Sequence, residues 1–204
     1  MVLALVFSMQ YSYMVRYDVG MDRENMLMIK SMDIAPKHEL FLEKLAANPN
    51  IEAVTSTNWG LFGSGDYNSR LIDGVTVKMQ IHYVRHNAPQ VFGIPVIMGH
   101  GFVKGSSGYL ITDYTSQATG LGIGDKWDNV ETIGIIPHIN FVGANKAKMN
   151  TMLYSQASSD YRMYFYVRLG KNVDVEAVCN DIRQAARNIE PNSSEPKIEF
   201  VNDA

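Results

Sequence analysis

Histidines are the first residues to weigh, because paired imidazoles hold metal ions and move protons. Of the five in the chain, His82 and His86 stand four apart, a spacing that would put both rings on one face of a helix. Their surroundings argue otherwise. Val75, Val77, Met79, Ile81 and Tyr83 alternate with Thr76, Lys78, Gln80, His82 and Val84, the period of a strand. Four residues of strand separate the two rings by roughly 13 Å, too far to share an ion. His38, His100 and His138 are scattered, with no carboxylate at ligand spacing. The single cysteine, Cys179, excludes an internal disulfide and any cysteine-based zinc site. It falls on an apolar helical stripe and reads as an inert thiol. No metal and no cofactor are expected.

Nucleophile and phosphate motifs fare no better. Gly60-Leu61-Phe62-Gly63-Ser64-Gly65 lacks the Gly-Lys-Ser/Thr of a phosphate loop and opens no helix, so it reads as a tip or connecting loop. Gly120-Leu121-Gly122-Ile123-Gly124 comes after a helix, so it aims no helix N-terminus at an anion. There is no Gly-x-Ser-x-Gly elbow, and Ser64 has no histidine near it in sequence. Asp66, Asp73 and Asp113 read as turn and cap residues, and the twelve methionines as filling for irregular cores. Asn192-Ser193-Ser194 fits a glycosylation sequon, which matters only in a eukaryotic secretory pathway. No catalytic residue is assigned, and the chain is not expected to be an enzyme.

The elements around these residues form a pattern of their own. The 204 residues are 46% hydrophobic and 19% charged, enough for one large domain or two small lobes. Net charge is −3 and there is no Lys/Arg run, which excludes a nucleic-acid surface. Met26–Lys30 reads as a strand, Asp33 and Pro36 start a helix with Phe41, Leu42, Leu45 and Ala46 on its apolar face, and Ile51–Thr57 is a second strand. The same order recurs near the C-terminus. Met163, Phe165, Val167 and Leu169 alternate with Tyr164, Tyr166 and Arg168. Asp174 caps a helix striped with Val175, Val178, Cys179, Ile182, Ala186 and Ile189, and residues 197–201 close the unit as a strand. Two such units predict an α+β, ferredoxin-like lobe sharing one sheet with both helices on one face. Between them, residues 59–158 read as an inserted β-rich lobe. It holds a hairpin turning at Asp73-Gly74, a strand over 108–111 leading into a short helix from Asp113 to Gly120, a strand over 130–136, and a loop over 142–158.

The N-terminus differs. Residues 2–7 are apolar, and the run fades at Ser8 and Gln10. This falls short of the roughly 20 apolar residues of a membrane span. It reads either as a core helix or as the trailing end of a span.

The stretch after this run resembles a known family. Tyr17-Asp18-Val19-Gly20-Met21-Asp22-Arg23-Glu24-Asn25, placed between an apolar helix end and an apolar strand, resembles the start of the MacB-like periplasmic core domain of FtsX-like ABC transporter permeases. Pro49-Asn50-Ile51-Glu52-Ala53-Val54, Tyr109-Leu110-Ile111-Thr112-Asp113, Val130-Glu131-Thr132-Ile133-Gly134-Ile135-Ile136 and Phe200-Val201-Asn202-Asp203 resemble that family's later segments, in the same order. Pro137-His138 stands where the family has an aspartate, and Asp113 replaces its Asn-Glu pair.

The resemblance implies a porter-type lobe (residues 21–58 with 159–204) interrupted by a Sabre-like lobe (59–158). Both would be carried on the end of a first transmembrane helix and its elbow (1–20). It implies a non-enzymatic domain in the bacterial inner membrane, facing the periplasm and relaying the work of a cytoplasmic ATPase subunit. Its partners would be a second permease copy, the membrane through flanking helices, and a periplasmic adaptor or outer-membrane protein. The residues expected to couple membrane to domain are Tyr17, Asp18, Gly20, Asp22, Glu24 and Asn25. The competing expectations are a membrane-tethered ligand-binding or sensor module, and a soluble enzyme whose site assembles only in three dimensions.

Overall fold

In chain order the elements are β1 (Met26–Lys30), a 3-10 turn (Ala35–Lys37), α1 (His38–Ala46), β2 (Ile51–Thr57), β3 (Asp66–Ile72), β4 (Val75–Tyr83) and α2 (Ala88–Val91). Next come β5 (Met98–Gly99), β6 (Gly108–Thr112), α3 (Asp113–Thr119), β7 (Lys126–Trp127), β8 (Val130–Ile136) and β9 (Asn150–Ser155). The chain closes with β10 (Tyr164–Leu169), α4 (Val175–Ile189), β11 (Lys197–Phe200) and a 3-10 turn (Val201–Asp203). The structure, a computed structural model, describes residues 19–61, 65–72, 74–141, 148–156 and 162–203.

Both chain ends build one antiparallel sheet, ordered β11-β1-β10-β2. This is the split ferredoxin-like arrangement. The alternation in β10 sends Phe165 and Val167 to one face, where they meet Leu27 and Ile29 of β1 and Val54 of β2. α1 and α4 cover that face with Phe41, Leu42, Leu45, Val178, Ile182, Ala186 and Ile189. Phe41 packs edge-on to Phe165 at 4.9 Å between centroids. Each of these side chains except Ala186 contributes roughly 1.5–3 kcal/mol through burial. Asp174 caps α4 by accepting from the Ala177 amide at 3.1 Å. Asp33 does not start α1 as expected. Pro36 sits in the 3-10 turn that leads into α1, which begins at His38, while Asp33 accepts from the Ser194 amide and hydroxyl at 2.9 and 2.7 Å. Those bonds hold its carboxyl below the usual range.

The second sheet is mixed, ordered β3-β4-β9-β6-β8-β5, with β7 beside β8. β4/β9 and β6/β8 are parallel pairs. Here the expected loop over 142–158 is corrected, because residues 150–155 form β9, a central strand between β4 and β6. A strand buried on both faces shows no alternation. The buried Thr151 hydroxyl donates to the Met149 carbonyl at 3.2 Å, and its backbone amide and carbonyl both bond the Thr115 hydroxyl of α3. α2 was likewise not expected, since four residues, one of them Pro89, carry no helical period.

The two sheets join without a gap. The open face of the small sheet, with Met26 and Tyr166, shares one core with Val84, Ala88, Val91 and Phe92, and with Leu110, Ile136 and Leu153 of the large sheet. Thr57 and Val84 form a bridge, flanked by Asn58 N–H to Tyr83 C=O (3.2 Å) and Arg85 N–H to Ser56 C=O (2.9 Å). Arg85 also pairs with Glu39 of α1 at 2.6 Å. Arg162, nearly buried, donates to the Asn58 side chain and to the Val84 carbonyl. Among the described residues, no helix is long and apolar enough to cross a membrane.

Candidate functional site

The candidate site is the elbow that enters β1. Tyr17 and Asp18 lie outside the described residues; Gly20, Asp22, Glu24 and Asn25 do not. The segment is gripped from two sides. Val19 and Met21 are buried in the shared core, and the Val19 carbonyl accepts from the Asn140 amide at 3.0 Å. Between them Gly20 takes a left-handed φ of +83°, where a Cβ would stand 2.3 Å from the His138 carbonyl oxygen. Only glycine fits so close a backbone approach. The Asp22 amide then donates to the Phe92 carbonyl at 2.8 Å, just beyond α2. Asn25, at φ +52°, turns the chain into β1, and its carbonyl accepts from Leu169 at 2.8 Å.

Arg168 of β10 gathers these pieces. Its guanidinium donates to the carbonyls of Glu24 (2.8 Å), Asp22 (3.2 Å) and Val91 (2.7 Å). It also pairs with the Asp22 carboxylate at 2.9 Å. The other Asp22 oxygen accepts from the Glu24 amide at 2.9 Å. Glu24 thus contributes its backbone, while its side chain is exposed. One planar, permanently charged group therefore ties the elbow, the small sheet and the α2 corner together. Sequence reasoning placed Arg168 only among the polar positions of its strand. The available signal was a lone arginine near the end of an otherwise apolar and aromatic run, opposite the start of β1.

The two ends of the described chain meet here as well. β1 and β11 are antiparallel, with Leu27 opposite Phe200, so the end of β11 lies beside the start of β1. Val201 is buried in the same core as Val19 and Met21. The large sheet is reached from the other end of the small one, where Thr57 faces Tyr164. Asp22, Glu24, Asn25, Glu52, Arg168 and Lys171 line a shallow cleft of about 190 Å³ at the elbow. Within it the Arg168 guanidinium satisfies the Asp22 and Glu24 carbonyls and the Asp22 carboxylate.

The other residues singled out are dispersed. His82 is buried against Phe141, both ring nitrogens lack a hydrogen-bond partner among the described residues, and burial pushes its pKa down to about 3. Burial raises the Cys179 thiol. The cap of α3 is Thr112, accepting from the Thr115 amide at 3.1 Å, while Asp113 accepts from its neighbour Tyr114. Gly120 ends α3 in a left-handed conformation at φ +74°. Gly63, Ser64 and Asp73 lie outside the described residues. No cluster of three or more His, Cys, Asp or Glu that could hold a metal occurs among the described residues.

No protein-family profile matches the sequence, and no curated protein matches it. Solved structures do share its fold. The periplasmic region of MacB from Actinobacillus actinomycetemcomitans superposes with a TM-score of 0.63 at 10% identity, over 93% of this chain and 94% of that one. The extracellular domain of the noncanonic ABC-type transporter YknZ from Gram-positive bacteria gives 0.60 at 11% identity, over 86% of this chain and all of that one. A domain assigned to a permease protein of Porphyromonas gingivalis gives 0.56 at 16% identity, over 87% and 91%. The chain thus has the MacB-type periplasmic domain fold.

Proposed function

We propose that this chain is the extracytoplasmic domain of an ABC transporter permease, held at the bacterial inner membrane and facing the periplasm. In this role it relays the motion of a cytoplasmic ATPase subunit to export or extraction outside the membrane. The elbow is the observation that carries this reading. Both ends of the described chain leave one end of the small sheet, and the N-terminal one is locked to both sheets by Gly20, Asp22 and Arg168. A domain tethered at one end through such a packed joint turns with its tether, which a flexible linker would not do. Tyr17 and Asp18 would carry the joint toward the membrane, with Glu24 and Asn25 completing it. The porter-type lobe (21–58 with 159–204) and the inserted lobe (59–158) would move as one body, because they share a core. A second permease copy completes the machine, with a periplasmic adaptor or outer-membrane protein beyond it.

The test is to tag the protein at its own chromosomal locus and purify it from detergent-solubilised membranes. The expected result is a complex with two copies and an ATP-hydrolysing subunit. Recovery from the soluble fraction, with no ATPase attached, would overturn the proposal.

A further inference from the structure

Among the described residues, one stretch of the large sheet has no neighbouring strand. β9 accompanies β4 only from Asn150, opposite Met79, to Tyr154, opposite Tyr83. Residues 75–78 run on past it. Across the hairpin Ile72 faces Val75, and the residues flanking a two-residue turn exchange hydrogen bonds. Val75, Val77 and Met79 therefore direct their backbone groups at β3, and Thr76 and Lys78 direct theirs the other way. The Asn150 side-chain amide agrees with this parity, donating to the Lys78 carbonyl at 3.3 Å. Among the described residues, no strand lies along this edge. A cleft of about 340 Å³ occupies the place, bounded by residues 75–78, by Ala118 of α3 and by residues 148–150.

The lining carries two cations, Lys78 and Lys148, and no carboxylate. Each ammonium lies over an aromatic ring, Lys78 over Tyr67 at 4.6 Å and Lys148 over Tyr114 at 5.6 Å. These contacts position the charges without neutralising them. Parity puts Lys78 on the α3 side of the sheet, where Lys148 also lies beside Tyr114. Val75, largely exposed, and Val77 face the opposite side.

We propose that this cleft takes an extended acidic peptide segment by strand addition to residues 75–78 of β4. The backbone of the segment would pair with both backbone groups of Thr76 and with the Lys78 amide, the Lys78 carbonyl being already taken by Asn150. Its Asp or Glu side chains would meet Lys78 and Lys148, alternating with β-branched residues beside Val75 and Val77. The inference rests on sheet geometry and charge, and stands whether or not the chain works in a transporter.

Hydrogen exchange on the full 204-residue chain tests it. The probe is the peptide acetyl-Val-Glu-Val-Glu-Val-Thr-amide, compared with its Gln-for-Glu and backbone N-methylated forms. In the free protein the Thr76 and Lys78 amides should exchange fast, and the acidic probe should slow them by about tenfold or more. The double substitution Lys78→Glu with Lys148→Glu should remove that protection while leaving exchange in β1 and β10 unchanged. Several outcomes overturn the proposal. One is that both amides are already as slow as Met79 without peptide, which means the protein covers its own edge. Another is that protection appears with protein concentration alone, which makes a second copy the occupant. A third is that the probe fails to protect, or that the N-methylated form protects equally.

Discussion

The small sheet and the large sheet treat their surroundings differently. The small sheet is wholly antiparallel and covered on both faces, by α1 and α4 on one side and by the shared core on the other. Its partner has parallel pairs, β3 and β5 as its outer strands among the described residues, and exposed apolar side chains at Leu71, Val75, Ile97 and Met98. The elbow is locked where the small sheet meets the shared core, and Leu71, Val75 and Met98 stand exposed on the large sheet.

Two glycines break this comparison most sharply. Gly20 and Gly74 have nearly the same φ, +83° and +81°, but a Cβ at Gly20 would strike the His138 carbonyl whereas one at Gly74 meets nothing within 4 Å. Gly74→Ala should therefore cost only the conformational penalty, about 1 kcal/mol. Gly20→Ala should cost about 4 kcal/mol, lowering Tm by roughly 10 °C in thermal melts. Equal losses would mean that the elbow is not a packed joint.

Arg168→Met comes next. It leaves the carbonyls of Val91, Asp22 and Glu24, and the Asp22 carboxylate, without their donor. The expected loss is about 3 kcal/mol in denaturant titration, with Arg168→Lys recovering only part of it.

A third effect belongs to the inserted region. His82 is held neutral by burial, with its folded pKa near 3 against an ordinary 6.5. The unfolded chain binds the proton more readily, so the stabilisation is complete above pH 6.5 and declines as pH falls toward 3. By pH 5 the loss should reach about 2 kcal/mol. His82→Phe should flatten the stability profile between pH 6.5 and 4, leaving the smaller same-sign contributions of His138 and His86, whose pKa values are also lowered by burial. An unchanged slope would contradict the burial of His82.

The smallest effect is expected on the open margin. Leu71, 72% exposed, should accept serine within about 0.5 kcal/mol, as measured by chemical denaturation. A larger loss would show that the margin is packed after all.

The same contrast decided what could be read from sequence. In the small sheet each element carries its own signal. β10 alternates and α4 repeats at 3.6 residues behind its Asp174 cap, so the shared sheet was legible. In the large sheet β9 is central and buried on both faces, which erases alternation and left Asn150–Ser155 looking like loop. The elbow was legible as a chain of polar residues around Gly20. Its lock was not, because Arg168, His138 and Phe92 are brought to it only by the fold.

Hydrogen exchange at the elbow tests the central claim, a joint fixed to both sheets. The Asp22 and Asn140 amides, bonded to Phe92 and Val19, should exchange about as slowly as amides in the centre of β10, opening only when the whole domain unfolds. Exchange of Asp22 and Asn140 orders of magnitude faster than β10, through local opening, would contradict it.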